Sequence, residues 1–287
     1  MIQDLAIPGP DDVSTTVRLA LAEDVGSGDV TAALLAPDAT ASASVLCRES
    51  AVLCGVTWFD EVFRQLCPEI VVSWRAGDAD AVEPGDVVCT VTGPAAPILT
   101  GERTGLNFLQ LLSGTATIAR DYARALQGSA THILDTRKTL PGLRNAQKYA
   151  VGCGGCHNHR AGLFDAVLIK DNHIANAGSI AGIVAAARRD NPDLTVEVEV
   201  NHLTQLDEAL AAGADIVMLD NFQRAEIGEA VARSRGRAKL EISGNVAIED
   251  LPELASSGVD YISVGALTKN VRAIDFSMGF DAQPEGQ

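Results

Sequence analysis

The chain has 287 residues, enough for one large or two modest domains, and its 47% hydrophobic and 21% charged residues are typical of a globular protein. A formal net charge of −16 excludes general nucleic-acid binding through a basic face and docking on anionic membranes. Six irregularly spaced cysteines, and seventeen N-terminal residues without Lys or Arg, predict a cytoplasmic protein with reduced thiols and no secretory signal.

Residues 1–112 form the first predicted region, an α+β sandwich domain. Apolar spacing predicts a helix over Val13–Glu23, and the turn Asp24-Val-Gly-Ser-Gly-Asp29 ends it. A helix over Leu99–Leu112 closes the region, and the residues 271–287 are expected to pack back on it. The uncharged run Thr104–Ala119 is too short and too polar to span a membrane. The strand-like runs between the two helices are Ala41–Cys47, Ala51–Val56, Ile70–Trp74 and Val87–Val91.

Residues 113–270 show a different sequence pattern, in which short β-branched runs alternate with alanine-rich helical segments. This alternation predicts βαβ units and a parallel sheet. The predicted strands are His132–Leu134, Ala166–Ile169, Thr195–Val198, Ile216–Leu219, Lys239–Ile242 and Tyr261–Val264. The predicted helices are Gly178–Arg189, Thr204–Ala212, Ala225–Arg235 and Ile248–Ser256.

Two parallel architectures compete for this region, an α/β barrel and an open doubly wound sheet. No Gly-x-Gly-x-x-Gly turn follows a strand, which weakens the dinucleotide-binding alternative. Polar residues end nearly every strand, as they do at the C-terminal face of a barrel. Because six strands can be counted, the fold class predicted is an incomplete α/β barrel of six or seven strands.

The stretch Asp135–His173 is a basic island in an acidic protein. It contains six Lys and Arg residues, three acids and three of the five histidines. Arg137, Lys138 and Lys170 fall at strand ends rather than on helix faces, which favours an anion-binding site over a salt-bridged surface helix. Arginines in such a site suit carboxylates or phosphates, which they bind in bidentate fashion.

A glycine-rich turn, Gly152-Cys-Gly-Gly-Cys156, lies inside this stretch and allows close approach of backbone to a ligand. Cys153 and Cys156, with His157 or His159, could suggest zinc. No second Cys-x-x-Cys or His-x-x-x-His pair accompanies them, so zinc is the weaker interpretation.

Further polar groups end the later strands. Glu199 and Asp220 could hold Mg²⁺ or sugar hydroxyls, or could simply neutralise nearby lysines. Glu197 faces the same side of its strand as Glu199, and either could be the ligand. The loops Ser243-Gly244-Asn245 and Val264-Gly265-Ala266 stand where barrels commonly cradle a phosphate with backbone N–H groups.

Over almost its whole length the sequence resembles the quinolinate phosphoribosyltransferase family. The strongest block is Asp135-Thr-Arg-Lys-Thr-Leu-Pro-Gly-Leu-Arg144. One departure is Cys156, where the family usually has a third glycine, and a positive φ there would strain a cysteine. The other blocks, in order, are Ala20–Thr31, Gly101–Gln110, Asn158–Arg160, Leu168–His173, Val196–Glu199, Met218–Phe222 and Glu241–Asn245.

The resemblance implies a pentosyltransferase that joins quinolinate to phosphoribosyl pyrophosphate (PRPP), giving nicotinate mononucleotide, pyrophosphate and CO₂ in NAD synthesis. It implies that quinolinate is surrounded by Arg103, Arg137, His159, Arg160 and Lys170. Arg103 would come from a neighbouring subunit, which implies a homo-oligomer, either dimer or hexamer.

The same resemblance places Lys138 between the two substrates, near the phosphates, and Glu199 and Asp220 at the ribose hydroxyls and Mg²⁺. Thr136 belongs to the same substrate-binding block, and the Ser243 and Gly265 loops would hold the 5′-phosphate. The catalytic residues expected are Lys138, Lys170, Glu199 and Asp220. Three alternatives remain: a phosphoribosyltransferase for another ring carboxylate, a barrel aldolase with Lys170 as Schiff base, and a binding protein without catalysis.

Overall fold

A computed structural model describes residues 8–244 and 246–280 of the chain. None of the helices in this described part is both long and apolar enough to cross a membrane. The α-helices are α1 (Pro10–Val25), α2 (Val56–Leu66), α3 (Ala95–Ala125), α4 (Arg144–Cys153), α5 (Asp171–Ala177), α6 (Ile180–Asp190), α7 (Leu203–Ala212), α8 (Arg224–Ser234), α9 (Leu251–Ser256) and α10 (Ala266–Lys269), with 3₁₀ turns at Ala32–Leu34 and Ile248–Asp250.

The strands of the described residues fall into two larger sheets and one short pair. They are β1 (Thr40–Cys47), β2 (Ala51–Val52), β3 (Val71–Trp74), β4 (Ala81–Val82), β5 (Val87–Pro94), β6 (His132–Leu134), β7 (Val167–Ile169), β8 (Val196–Val200), β9 (Ile216–Asp220), β10 (Lys239–Ser243), β11 (Tyr261–Ser263) and β12 (Phe276–Phe280).

The chain divides into two compact units. The described part of the antiparallel unit comprises residues 8–120, 140–155 and 270–280. The described part of the parallel unit comprises residues 121–139, 156–244 and 246–269. The predicted boundary at residue 112 falls inside α3, whose 31 residues continue without a break to Ala125.

The antiparallel unit is built on a four-stranded sheet in the order β12-β1-β5-β3. In β1, alternate residues Ala43, Val45 and Cys47 are buried, because a strand with one covered face buries every second side chain. Helix α2 contributes Trp58, Phe59, Val62 and Phe63 to the core, at the i, i+3 and i+4 spacing of one helical face.

Two features of this unit differ from the sequence predictions, and a third agrees with them. The run predicted as a strand over Ala51–Val56 forms strand only at Ala51–Val52, because Gly55 adopts a φ of +115° and starts helix α2. Helix α4 was not predicted at all. Strand β12, within the C-terminal segment expected to pack back on this domain, pairs with β1 from Ala43↔Phe280 to Cys47↔Phe276, and residues 281–287 of that segment lie outside the described residues.

The parallel unit is a six-stranded sheet in the order β6-β11-β10-β9-β8-β7. Its first strand along the chain, β6, pairs with its last, β11, so that the sheet curls back on itself as a barrel does. In the described residues β6 and β7 form the two edges, and an isolated parallel bridge, Leu134↔His157, lies on the free side of β6. The incomplete barrel predicted from the sequence is confirmed, with six strands.

Candidate active site

Most of the residues singled out by the sequence lie at one edge of the parallel sheet. Parallel strands all present their C-terminal ends on the same side, so the residues after them meet there. In strand order this edge carries Thr136, Arg137 and Lys138 after β6, Lys170 after β7, Glu199 in β8, Asp220 in β9, Ser243 and Gly244 at β10, and Val264, Gly265 and Ala266 after β11. Asn245, expected in the same group, lies outside the described residues.

The ends of β7 and β8 are joined by an ion pair. The Lys170 ammonium lies 2.7 Å from Oε2 of Glu199. Lys170 also begins α5, where its backbone N–H donates to Nδ1 of His173 at 3.0 Å. The sequence left two roles open for Glu199, and one of them was to neutralise a nearby lysine. The ion pair shows that Glu199 does neutralise Lys170.

Asp220 follows Glu199 around the same rim. Glu199 pairs in register with Met218, and Asp220 stands two residues further along β9, so its side chain shares the face of Glu199. Asn221 takes a left-handed φ of +55° and donates from Nδ2 to Asp220 at 3.0 Å. These contacts place two carboxylates on neighbouring strands at the sheet edge.

The loops after β9 and β10 line a cavity of about 350 Å³. Asn221, Ser243 and Gly244 contribute to its wall. Gly244 has a φ of +151°, and a Cβ there would stand 3.4 Å from Oδ1 of Asn221. Glycine at this position lets backbone amides face the cavity closely, as a phosphate-binding loop requires.

The loop after β6 is folded onto the loop after β11. Thr136 accepts a hydrogen bond at Oγ1 from the backbone N–H of Lys138 at 3.0 Å, and Thr268 donates to the Lys138 carbonyl at 2.9 Å. A Cβ on Gly265 would lie 3.0 Å from Cδ of Lys138. The Lys138 side chain therefore occupies the space left by a missing side chain at residue 265.

Asp135 holds the next segment in place from a fully buried position. Its carboxylate accepts from Nδ2 of Asn158 at 2.8 Å and from the backbone N–H of His159 at 2.9 Å. Hydrogen bonds to an ionised acceptor are stronger than neutral ones. The segment that carries His159 and Arg160 is thereby tied to the end of β6.

Arg160 and Arg137 are close enough to affect one another. Burial, and then the neighbouring Arg137 guanidinium, lower the pKa of Arg160 below its ordinary value of 12.5. Arg160 also donates to the Ala166 carbonyl at 3.2 Å. The charges of Glu197 and Asp165 offset part of this lowering of the Arg160 pKa, and a ligand with two carboxylates would stabilise both guanidiniums.

Other basic residues of the island have different settings. Arg144 and Lys148 lie in α4 of the antiparallel unit, and Arg103 is an exposed residue of α3 in that unit. His157 packs its ring edge-on against His132, with ring centroids 4.7 Å apart. Three of the six basic residues of the island follow the C-terminal ends of strands: Arg137, Lys138 and Lys170. The Arg160 guanidinium contacts the Ala166 carbonyl just before β7.

In the glycine-rich turn the left-handed position does not fall on the cysteine. The left-handed residue of the turn is Gly155, at a φ of +93°, and Cys156 is not at a positive φ. Cys156 is buried, and burial raises the pKa of its thiol to about 12. Cys153 lies in the antiparallel unit, where its thiol interacts with that of Cys54.

Two site groups were missed by the sequence reasoning. Glu241 and Ser263 lie buried under the sheet edge, and Glu241 approaches His159 together with Glu197. The sequence did contain a sign of both residues, because each places a polar side chain within an otherwise apolar strand, at a position that faces inward. Glu197, considered as an alternative ligand to Glu199, is buried against His159 instead of standing at the rim.

Comparison with known proteins gives matches over nearly the whole chain. Residues 29–113 match the N-terminal domain and residues 115–279 the C-terminal domain of the family described as quinolinate phosphoribosyl transferase. These limits divide the chain close to the predicted boundary at residue 112.

Among curated relatives, the carboxylating nicotinate-nucleotide pyrophosphorylase of Mycobacterium leprae is 42% identical, covering 93% of this chain and 97% of that protein. The probable enzyme of that name from Bacillus subtilis is 40% identical and covers 89% of each. Among solved structures, the nicotinate-nucleotide pyrophosphorylase of Francisella tularensis superposes with a TM-score of 0.95 at 46% identity, covering 98% of this chain and 100% of that one.

Proposed function

This chain belongs to the quinolinate phosphoribosyl transferase family, and we propose that it joins quinolinate to PRPP at the C-terminal edge of its parallel sheet. The products are nicotinate mononucleotide, pyrophosphate and CO₂, and the reaction is a step of NAD synthesis. The observation that carries the location is the group of cations Arg137, Lys138 and Lys170, which follow β6 and β7 at this edge, with Arg160 near enough to Arg137 for the two charges to interact.

Quinolinate fits these cations because it carries two carboxylates on adjacent ring carbons. A guanidinium binds a carboxylate through two parallel hydrogen bonds, which orients the ring as well as holding it. We assign this role to Arg137 and Arg160, with Lys170 as a further positive charge and His159 at the base of the site. Arg103 of a neighbouring subunit completes the set in this proposal, which makes the active protein a homo-oligomer.

PRPP binding is proposed for the acids, the lysine and the glycine loops. Glu199 and Asp220 face the ribose hydroxyls, and Lys138 faces the phosphates. The loops Ser243-Gly244-Asn245 and Val264-Gly265-Ala266 take the 5′-phosphate through backbone N–H groups. The cavity of about 350 Å³ beside Ser243 and Gly244, and the tight packing at Gly265, support this assignment.

The residues also fit a magnesium ion. Mg²⁺ prefers oxygen ligands and usually takes one or two carboxylates together with water and substrate phosphates. Glu199 and Asp220 on adjacent strands supply such carboxylates, although Glu199 shares one oxygen with Lys170. When bound, the ion supplies positive charge for the departing pyrophosphate.

The side chains carry the chemistry by position and charge. Lys138 stabilises the pyrophosphate as the bond to ribose C1 breaks, and the ring nitrogen of quinolinate then bonds to the oxocarbenium-like carbon. When the 2-carboxylate leaves as CO₂, the electron pair of the broken bond stays on that ring carbon, where the adjacent positive nitrogen stabilises it until the carbon gains a proton. Arg137 and Arg160 hold the ring against C1, and no covalent enzyme intermediate is needed.

The aldolase alternative is weakened by the state of Lys170. A Schiff base requires a neutral amine, whereas the Lys170 ammonium is paired with Glu199 at 2.7 Å.

A cytoplasmic location is proposed from the cysteines. All six are free thiols, and five are buried. This pattern is typical of a reducing compartment.

The proposed function is tested by substrate competition. With PRPP and Mg²⁺, the purified protein should consume quinolinate and leave nicotinate untouched. Incubation with borohydride and quinolinate should produce no adduct at Lys170. A faster reaction with nicotinate than with quinolinate would show that quinolinate is not the preferred substrate. Trapping of a borohydride-reduced adduct at Lys170 would support the aldolase.

A further inference from the structure

A chain of buried polar side chains runs beneath the proposed quinolinate site. Nε2 of His159 lies 3.0 Å from Glu197 and 3.6 Å from Glu241. The Ser263 hydroxyl donates to the other oxygen of Glu241. Glu197, Glu241 and Ser263 are 2%, 0% and 4% exposed, so this cluster is closed off from solvent.

Such an arrangement is costly for the fold. Within residues 8–244 and 246–280, Oε1 of Glu197 and Oε2 of Glu241 have no hydrogen-bond partner. An unsatisfied buried polar group costs roughly 1–3 kcal/mol. Apolar residues would pack these inward positions of β8 and β10 without that cost. Groups of this kind are typical of functional sites.

The hydrogen bonds of His159 define which ring nitrogen carries the proton. The backbone N–H of Arg160 donates to Nδ1 of His159 at 2.7 Å, so Nδ1 must present a lone pair. Nε2 then carries the hydrogen and donates to Glu197. Burial, and then the charge of Glu197, raise the pKa of Glu241 to about 8.

The same argument disfavours a metal ion, although these three side chains could form a metal-binding group. Coordination through Nε2 would move the proton to Nδ1, where it would face the N–H of Arg160 at 2.7 Å. The adjoining cavity, lined by His159, Arg160 and Glu197 among others, measures about 20 Å³, enough for one water-sized molecule and far too small for quinolinate.

His159 is thus held at three points. Asp135 accepts from its backbone N–H, Glu197 accepts from Nε2, and Nδ1 accepts from the backbone N–H of Arg160. The last bond connects the buried acids to Arg160, because rotation of the imidazole would release the backbone from which that guanidinium projects.

We propose that Glu197 and Glu241 are positioning residues for quinolinate: they hold the His159 ring from inside the barrel in the orientation that anchors Arg160. The inference rests on the proposed function, since it assigns these acids to the quinolinate half of that site. The proposal gives Glu197 and Glu241 a different role from that of Glu199, which lies two residues after Glu197 and pairs with Lys170 at the edge of the sheet.

Paired substitutions test the proposal. Glu197→Gln keeps an oxygen acceptor for Nε2 and should leave the kinetics within about twofold of wild type. Glu197→Leu removes the acceptor and should raise KM for quinolinate about tenfold, which corresponds to one hydrogen bond of about 1.4 kcal/mol, while KM for PRPP stays unchanged. Glu241→Gln and Glu241→Leu should behave in parallel. Ser234→Ala, which removes a buried hydroxyl bond to Ala238 elsewhere in the unit, is the control.

Equal increases of both KM values in the leucine variants would contradict the proposal, as would a glutamine variant as impaired as the leucine one. Should the leucine variants fail to fold, the ¹⁵N spectrum of wild-type histidines decides. His159 should show a bare Nδ1 and a protonated Nε2. The opposite tautomer, or stoichiometric metal bound at His159, would overturn the proposal. The spectrum does not depend on turnover. A failure of the proposed function would instead appear as a wild-type protein that does not use quinolinate, so the two failures can be told apart.

Discussion

The Lys138 side chain lies directly over Gly265, so that a Cβ on the glycine would stand 3.0 Å from Cδ of the lysine. Thr268, three residues after the glycine, donates to the Lys138 carbonyl at 2.9 Å. The loop that follows the first strand of the barrel is therefore fitted to the loop that follows the last. A cation proposed to face the phosphates is held in place by the backbone of a loop proposed to bind the 5′-phosphate.

Gly265→Ala tests this fit. The added methyl should displace Lys138 and raise KM for PRPP about tenfold, equivalent to about 1.4 kcal/mol of binding energy, with little change in Tm. Gly228→Ala is a matched control, because that helical glycine has nothing within 4 Å of its Cβ position. The control should retain full activity and gain about 0.5–1 kcal/mol of helix stability. A Gly265→Ala enzyme with wild-type KM for PRPP would show that the contact has no role in substrate binding.

Arg137→Ala should lower kcat/KM for quinolinate by roughly 100-fold or more, because a hydrogen bond to a charged group contributes about 1.5–3 kcal/mol and the guanidinium makes two. Arg137→Lys keeps the positive charge but lacks the planar guanidinium that makes two parallel hydrogen bonds, and should recover only part of the activity. The thermal unfolding temperature should stay at the wild-type value, since Arg137 is exposed in the structure. Arg233→Ala, at a surface ion pair with Asp207, should leave steady-state kinetics unaffected. Wild-type kinetics in Arg137→Ala would remove this residue from the site.

Glu199→Gln and Asp220→Asn address the proposed PRPP and magnesium contacts. Both should raise the Mg²⁺ concentration needed for half-maximal rate and raise KM for PRPP, because amide oxygens bind a hard cation less well than carboxylates. Glu199→Gln should have a second effect through Lys170, whose ammonium would lose its charged partner. A Mg²⁺ dependence that is unchanged in both variants would contradict the assignment.

The buried acid Glu241 predicts a pH dependence of stability. Its pKa is raised from an ordinary 4.5 to about 8 in the folded chain, so the folded state holds a proton that the unfolded state has lost. Stability therefore falls as pH rises from about 4.5 to about 8, with a slope of up to about 1.4 kcal/mol per pH unit from this group. Urea unfolding at a series of pH values should show a smaller fall in Glu241→Gln. Identical profiles for the two proteins would mean that Glu241 titrates normally.

The barrel could be predicted because most of its strands are short, mainly apolar runs followed by a polar residue. His132–Leu134 followed by Asp135, and Ile216–Leu219 followed by Asp220, show the pattern at opposite parts of the sheet. Helix α2 was missed because the apolar run from Ala51 continues into it without a polar break. Only the left-handed φ of Gly55 ends the strand and lets the helix begin.

The site residues at the C-terminal ends of the strands could be predicted from the sequence. The contacts among the buried residues beneath them could not. Lys170 and Glu199 follow or end their strands, and the structure pairs them. Glu241 belongs to the middle of β10, and its partner His159 lies 82 positions earlier, so their approach depends on the curvature of the sheet. Pattern alone also could not separate Glu197 from Glu199, because both face the same side of β8.

The central claim is tested most directly by CO₂ release from quinolinate labelled at the 2-carboxylate, with PRPP and Mg²⁺ present. The wild-type protein should release one labelled CO₂ for each nicotinate mononucleotide formed, and none without PRPP. Arg137→Ala should release it at least about 100-fold more slowly at equal concentration. Absence of labelled CO₂ from folded wild-type protein would contradict the account.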